Sequence, residues 1–275
     1  MDLSIIILNY RQQRLVRQCL RGILMAEPRC RYEVIVVDND SGDGCLEMVA
    51  KQFPWVMCIA NSRNCGFGAG NNRAIAQARG DYVFIVNPDI TLFLGQIDEL
   101  VDFLRSHPRV GAAGPRLVNP DGSAQDSCRR FPRFITPLYR RTWVGRLPFA
   151  RRQLENFLMR DFNHRETIPV DWLMGACLMV RRQTFEEVGF FDEHFFLYYE
   201  DLDFCRRCWA AGWEVWYVAT ATPVHYHQRL SAGSGGVSAF FHRAAWSHIR
   251  SALQYYRKYR RQRLPGGSPS GKMLS

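Results

Sequence analysis

The sequence predicts an α/β protein built on a doubly wound, mostly parallel sheet. Three observations predict it. Apolar runs rich in β-branched residues recur without polar alternation, as strands covered on both faces do. Segments of helical spacing separate them, so right-handed crossovers would lay the strands parallel. Each of the first four runs ends in polar residues, and sheets of this kind bind ligands beyond the carboxyl ends of their strands.

The elements follow in order. "LSIIIL" is a strand and "QQRLVRQCLRGIL" a helix. "YEVIVVD" and "GCLEMVAKQF" repeat the alternation, then "WVMCIA" and "GAGNNRAIAQAR", then "YVFIV" and "GQIDELVDFLRSH". The strand ends carry Asn9-Tyr10, Asp38-Asn39-Asp40, Asn61 to Asn64, and Asn87-Pro88-Asp89. The second half is mixed. "VGAAGPRLV" reads as a strand, residues 128–165 as an irregular or short-helical excursion, and "DWLMGACLMVRR" as a strand. "RQTFEEVG" is a short helix, "YYEDLDFCRRCWAAG" a helix stopped by Gly212, and "WEVWYVA" a last strand. Two halves are expected, 1–118 and 119–230, followed by a basic helical region over 231–275. The glycine- and serine-rich "GGSPSGK" predicts a disordered end.

The 275 residues suffice for one large domain, and no apolar run reaches the roughly 18 residues of a membrane span. "MDLSIIILNY" reads as a first buried strand rather than a secretory signal. Nine cysteines without framework spacing point to reduced thiols in a cytosolic protein. "CRRC" lacks the strand context of a redox motif. The net charge of +10 is concentrated. Ten arginines in 128–165 face only Glu155 and Asp161, and 240–263 carries seven cations and no acid, so the remainder is mildly acidic. Such segments suit nucleic acid or an anionic membrane. The basic residues avoid the strand-end cluster and no nucleic-acid module is present, which argues against nucleic acid.

Four motifs could carry chemistry. The glycines of "NCGFGAGNN" would let backbone amides approach a phosphate near a helix start, or simply make a tight loop. In "VVDNDSGDG", Asp38 is placed to accept hydrogen bonds from a base or ribose, while Asp40, Ser41 and Asp43 suit turn contacts. "YYEDLDFCRR" crowds Glu200, Asp201 and Asp203; successive helical residues diverge by about 100°, so at most two can face one pocket and serve as a general base. In "TPVHYHQ", His225 and His227 point the same way from an extended segment, and either could join Asp89 as a ligand of a hard cation.

Together "SIIILNY", "VIVVDNDSGDG", "NCGFGAGNN", "VNPDI", "GACLMVRRQTFEEVGFFDEHFFLYYEDLDFCRR" and "VHYH", in this order over residues 3–230, resemble the family 2 inverting glycosyltransferases of GT-A fold, in particular their bacterial rhamnosyltransferase-like branch. The resemblance implies a nucleotide-sugar site with Asn9, Asp38, Asn39, Asn64, Gly66, Asn71, Asn87 and Asp89. Asn87 and Asp89 occupy the place of the family's metal-binding DxD, whose first acid is asparagine here. It implies Mg2+ or Mn2+ on Asp89 and His225, Asp201 as general base with Glu200 as its rival, and Trp172 and Gly175 near the acceptor. The implied reaction moves a sugar, L-rhamnose from dTDP-rhamnose, from a nucleotide diphosphate donor to a hydroxyl of a lipid-linked cell-surface glycan. UDP-galactofuranose, UDP-GlcNAc or another hexose donor is the alternative, and a non-catalytic sugar-nucleotide or nucleic-acid binder the rival class.

Residues 240–263 fit a helix with Trp246, Ile249, Leu253 and Tyr256 on an apolar stripe, flanked by Arg243, Arg250 and Arg257. That pattern suits a helix lying in an anionic membrane surface, or a terminal helix packed on the domain. The arginines of 128–165 could grip an acceptor diphosphate or the membrane. The expected location is the cytoplasmic face of the plasma membrane, as a peripheral protein.

Overall fold

The computed structural model describes residues 1–226 and 237–272. The first half alternates as expected: β1 (Leu3–Asn9), α1 (Gln13–Met25), β2 (Tyr32–Asp38), α2 (Cys45–Gln52), β3 (Met57–Ala60), α3 (Phe67–Ile75) and β4 (Tyr82–Val86). Next come β5 (Ile90–Thr91), α4 (Gln96–Ser106) and β6 (Val110–Pro115). The excursion holds β7 (Cys128–Arg129), α5 (Thr136–Arg141), a 3-10 turn (Trp143–Arg146) and α6 (Pro148–Phe157). The chain returns through β8 (Ile168–Pro169), β9 (Trp172–Leu173), β10 (Cys177–Arg181), α7 (Arg182–Val188), α8 (Glu200–Ala210), β11 (Glu214–Val218) and β12 (Val224–His225). Helices α9 (Val237–Tyr259) and α10 (Pro269–Lys272) follow.

One eight-stranded sheet runs β3-β2-β1-β4-β10-β6-β11-β8. Strands β1 to β4 pair in parallel, and β10 enters antiparallel between β4 and β6. Isoleucines 5, 6 and 7 of β1 are all fully buried, because α1 and α2 cover one face and α3 and α8 the other. Alternate β1 residues therefore enter two separate cores, which explains the unalternating sequence. The predicted strand "DWLMGACLMVRR" divides at Met174-Gly175-Ala176 into β9 and β10, and β9 leaves the main sheet to pair with β7.

One expectation for the C-terminal region changes, that of a disordered end, and the packing of its helix is now visible. Residues 266–272 are ordered against the domain: the Ser270 N–H donates to Asp171 Oδ1 at 2.9 Å, its hydroxyl donates to Oδ2, and Ser268 is fully buried. A buried acceptor supplies what composition could not reveal. Helix α9 packs through Ala252, Tyr255 and Tyr259, with Ser251 beside them, so the inner face is offset from the predicted stripe. Trp246, Ile249 and Leu253 are exposed, and Tyr256 instead donates to the Arg133 carbonyl. The expected boundary at 230–231, His227 and the Arg243 side chain lie outside the described residues.

Among the described residues no helix is long and apolar enough to cross a membrane. All nine cysteines are free thiols, and Cys205 and Cys208 of "CRRC" are fully buried packing residues of α8.

Candidate active site

A cavity of about 560 Å³ opens beyond the carboxyl end of β4, and Asn87, Asp89, Trp172, Glu200, Asp201 and His225 all line it. Three chain crossings assemble it. The Asn87 N–H donates to the Ala176 carbonyl at 2.8 Å, tying the β4 end to the break between β9 and β10. Strand β12 pairs antiparallel with β5, setting His225 against Ile90, and the Tyr226 N–H donates to the Asp89 carbonyl. The Gly175 N–H donates to Asp201 Oδ2 at 3.0 Å, which brings the start of α8 to the same place.

The three acids of α8 separate by environment. Asp203 is fully buried and structural, accepting from Arg207 at 2.8 Å and Tyr259 at 2.8 Å, with the Lys258 ammonium at 2.6 Å. Glu200 is 4% exposed and its Oε2 accepts no hydrogen bond. Burial, then the neighbouring Asp201 charge, pushes its carboxyl well above the ordinary range. Burial also raises Asp201, but the N–H groups of Gly175 and Leu202 and the Arg129 charge oppose the rise. The shift is therefore the stronger in Glu200, whose burial is not offset by such donors. Two consecutive left-handed residues, Tyr198 (φ 66°) and Tyr199 (φ 72°), lead into α8. Backbone held there costs about 1–3 kcal/mol per residue and accumulates at functional sites.

Asp89 and His225 form the second chemical centre. The Gln125 amide nitrogen donates to the His225 carbonyl at 2.9 Å and to Asn119 Oδ1 at 2.8 Å. That fixes the amide orientation, so Gln125 Oε1 faces His225 Nδ1 at 2.8 Å and must accept its proton. In the neutral ring Nε2 then turns its lone pair toward Asp89 Oδ1, 3.4 Å away, which accepts no hydrogen bond. A carboxylate oxygen and an imidazole nitrogen at this separation could together hold Mg2+ or Mn2+. Among the described residues no third His, Cys, Asp or Glu joins them, so phosphate and water would complete the shell.

The remaining expected site residues fare differently. Asn9 is fully buried and its amide donates to Asp38 Oδ1, Ser41 and Asp43. The Asn39 side chain, 2% exposed, bonds Asn61, Asn64, Cys65 and Gly66. Asn71 is fully buried within α3 and donates to the Phe67 carbonyl. These three asparagines shape the loops, leaving no exposed amide for a ligand. Asn64 Oδ1 accepts from Asn39 and the Gly66 N–H. Asp38 is half-buried at the end of β2 and does not line the cavity, since β1 stands between β2 and β4.

The glycines also have another cause. A Cβ at Gly66, where φ is +92°, would meet the Phe196 carbonyl oxygen at 2.2 Å, and one at Gly70 would meet Leu8 at 2.7 Å. They let protein pack closely on protein at these two positions. Trp172 and Gly175 both reach the cavity; the Trp172 Nε1–H donates to the Arg130 carbonyl at 3.0 Å. Gln125 went unnoticed in the sequence, and Arg129 and Arg140 were not singled out within the arginine-rich excursion. For the arginines the only signal was the charge density of 128–165.

Comparison with known proteins agrees with this fold. Glycosyl transferase family 2 matches residues 4–202. The chain is 33% identical over 251 residues to an N-acetylglucosaminyl-diphospho-decaprenol L-rhamnosyltransferase of Mycobacterium tuberculosis, covering 84% of this chain and 78% of that one. It is 25% identical to the rhamnosyltransferase WbbL of Escherichia coli (strain K12), over 93% of each. A mannosyltransferase from Pyrobaculum calidifontis, solved with GDP-Man and Mn2+, shares the fold at TM-score 0.64 and 18% identity. That match covers 97% of this chain and 66% of the other. GalNAc-T7, solved with UDP, GalNAc and Mn2+, superposes at TM-score 0.61 and 14% identity, over 82% and 44%. The chain belongs to glycosyl transferase family 2 and is a glycosyltransferase of GT-A fold, with relatives among the rhamnosyltransferases.

Proposed function

We propose that this enzyme moves L-rhamnose from dTDP-rhamnose to a hydroxyl of a lipid-linked glycan, by a single displacement that inverts configuration. The observation that carries the reading is the shared cavity, with Asp89 and His225 in the same wall as Glu200 and Asp201. The relatives named above supply the sugar and the lipid-diphosphate acceptor class.

Asp89 and His225 would hold Mg2+ or Mn2+. When bound, that ion neutralises charge building on the departing diphosphate. The protein's own residues do the rest. Gln125 keeps the proton on Nδ1 of His225 and its Nε2 lone pair toward Asp89. The Gly175 and Leu202 N–H groups orient the Asp201 carboxylate, which takes the proton from the attacking hydroxyl. Its raised pKa makes it a stronger base than an ordinary carboxylate. Glu200, buried and with its carboxyl raised further, is the weaker candidate for this role. Trp172 and Gly175 lie where the acceptor would sit, and Asn87 and Asp38 on the donor side.

Docking at the cytoplasmic face of a membrane would use the outer side of α9, where Trp246 and Leu253 are exposed beside Arg250 and Arg257. The test is transfer from dTDP-rhamnose, UDP-galactofuranose and UDP-GlcNAc to a GlcNAc-diphosphoryl lipid, with EDTA or Mn2+, followed by NMR of the product. Rhamnose transfer that needs the cation and yields the anomer opposite to the donor's is expected. Transfer undiminished in EDTA, or a retained anomer, refutes the mechanism.

A further inference from the structure

A second groove, of about 570 Å³, lies between α9 and the arginine-rich excursion. That size falls within the roughly 300–1,000 Å³ of small-ligand sites. Phe134 and Leu253, 74% and 64% exposed, line it together with Tyr255, Tyr256 and Tyr259. The Phe134 ring meets the Tyr256 ring edge-on, with centroids 5.1 Å apart. Each tyrosine hydroxyl is already engaged within the protein. Tyr255 accepts from Arg206 at 3.1 Å, Tyr256 donates to the Arg133 carbonyl at 2.7 Å, and Tyr259 donates to Asp203 at 2.8 Å. What these rings still offer a ligand is hydrocarbon. Arg206 also lines the groove, but it donates to the carbonyls of Gln262 and Arg263 and so serves the fold. Arg257 and Arg260 differ. Both line the groove, both are exposed, and among the described residues no carboxylate pairs with either. An apolar trough edged by two such cations fits an amphiphile with a long hydrocarbon chain and an anionic head, phosphate above all.

We infer that this groove receives the isoprenoid chain of a lipid-linked acceptor, a reading that rests on the acceptor class proposed above. Two observations tie the groove to the site of transfer. Pro132 lines both the groove and the cavity that contains Asp201. Helix α9 also borders both, through His248 in the cavity and Leu253, Tyr255 and Tyr256 in the groove. An acceptor whose sugar sits at Asp201 thus meets an adjoining apolar surface for its chain. The shared wall favours the acceptor over a bulk phospholipid, which has no group to place at Asp201. Covering isoprene units with aromatic rings yields affinity that grows with chain length. The enzyme would then select lipid-linked over free sugar acceptors at a place remote from the reacting hydroxyl.

The experiment is calorimetric titration of the full chain, in EDTA and without vesicles, with dimethylallyl, geranyl and farnesyl diphosphate, each below its own aggregation threshold. Affinity should rise about tenfold or more with each added isoprene unit, a fraction of what complete burial of five carbons would give. Phe134→Gln and Leu253→Gln, both at exposed positions, should each weaken farnesyl diphosphate about tenfold and leave dimethylallyl diphosphate unchanged. Farnesol should show the same dependence on these two residues. Combined Arg257→Gln and Arg260→Gln changes should weaken farnesyl diphosphate and leave farnesol unchanged. Trp246→Ser alters an exposed residue of the same helix that does not line the groove, and should change nothing. A flat series across chain lengths in the wild type overturns the groove, as does full farnesyl diphosphate affinity in both Phe134→Gln and Leu253→Gln. An equal loss in Trp246→Ser would mean adhesion to the outside of α9 and overturn it too. Dihexanoyl-phosphatidylglycerol binding as tightly as farnesyl diphosphate, with the same dependence on Leu253, would give the groove to a phospholipid and overturn its assignment to the acceptor. No transfer is measured, so a failure to move rhamnose would sink the proposed function and leave the chain-length series readable.

Discussion

Asp201 and Glu200 are adjacent in the chain and opposite in chemistry, because two backbone N–H groups stabilise one carboxylate and none reaches Glu200 Oε2. Asp201→Asn should therefore keep nucleotide-sugar affinity and lose about 10²–10⁴-fold in transfer, measured by calorimetry and turnover. Because the folded Asp201 carboxyl lies above its ordinary 3.8, the base form fills only as pH climbs past that raised value. The acid limb of kcat/KM should sit correspondingly high. Glu200 supplies a stability test. Its folded pKa exceeds 4.5, so below that value both folded and unfolded chains carry the proton. As pH rises through the window up to the folded pKa, the unfolded state releases it first and stability falls. Glu200→Gln should flatten that decline and raise Tm at neutral pH. Gln125→Ala should weaken Mn2+ binding about 10–100-fold, read by electron paramagnetic resonance, since an unheld imidazole loses its tautomer and aim. The acids were legible in the sequence because they follow strands or open a helix. Gln125 was not, because its bond to His225 spans 100 positions.

At the scale of elements, the alternation of the first half was legible, since β1, β2 and β4 are buried on both faces and each helix covers one. The loop before α8 was not. Its Phe196 carbonyl accepts from the Phe67 N–H and fills the space beside Gly66, a contact that only the tertiary fold creates. Of the two readings of "NCGFGAGNN", this contact favours the tight loop feeding a helix. Gly66→Ala should destabilise by about 1–3 kcal/mol in urea unfolding, through both its left-handed φ and the clash. Donor binding should suffer with it, because Asn39 and Asn64 are tied to the same turn. The inner face of α9 was not legible either. Tyrosines 255 and 259 carry hydroxyls that bond Arg206 and Asp203, so aromatic spacing alone could not say which side turns inward.

For the whole molecule, charge segregation was legible and its target less so. The basic excursion reaches the cavity through Arg129 and Arg140, while α9 keeps Trp246 and Leu253 outward. Paired Trp246→Ser and Leu253→Ser changes should lower recovery with anionic vesicles in flotation while leaving Tm nearly unchanged. Equal recovery would count against membrane docking by this helix.

The way α9 is fastened has a practical consequence. Ser251 donates to the Leu197 carbonyl, Lys258 bridges Asp192 and Asp203, and Tyr255 rests on Tyr199, so the helix buttresses the hairpin of backbone that aims the base. A shortened protein lacking this buttress would lose turnover in free solution, with no lipid present. Inactivity after C-terminal trimming is thus no measure of anchoring, and only point changes on the outward surface can separate the two.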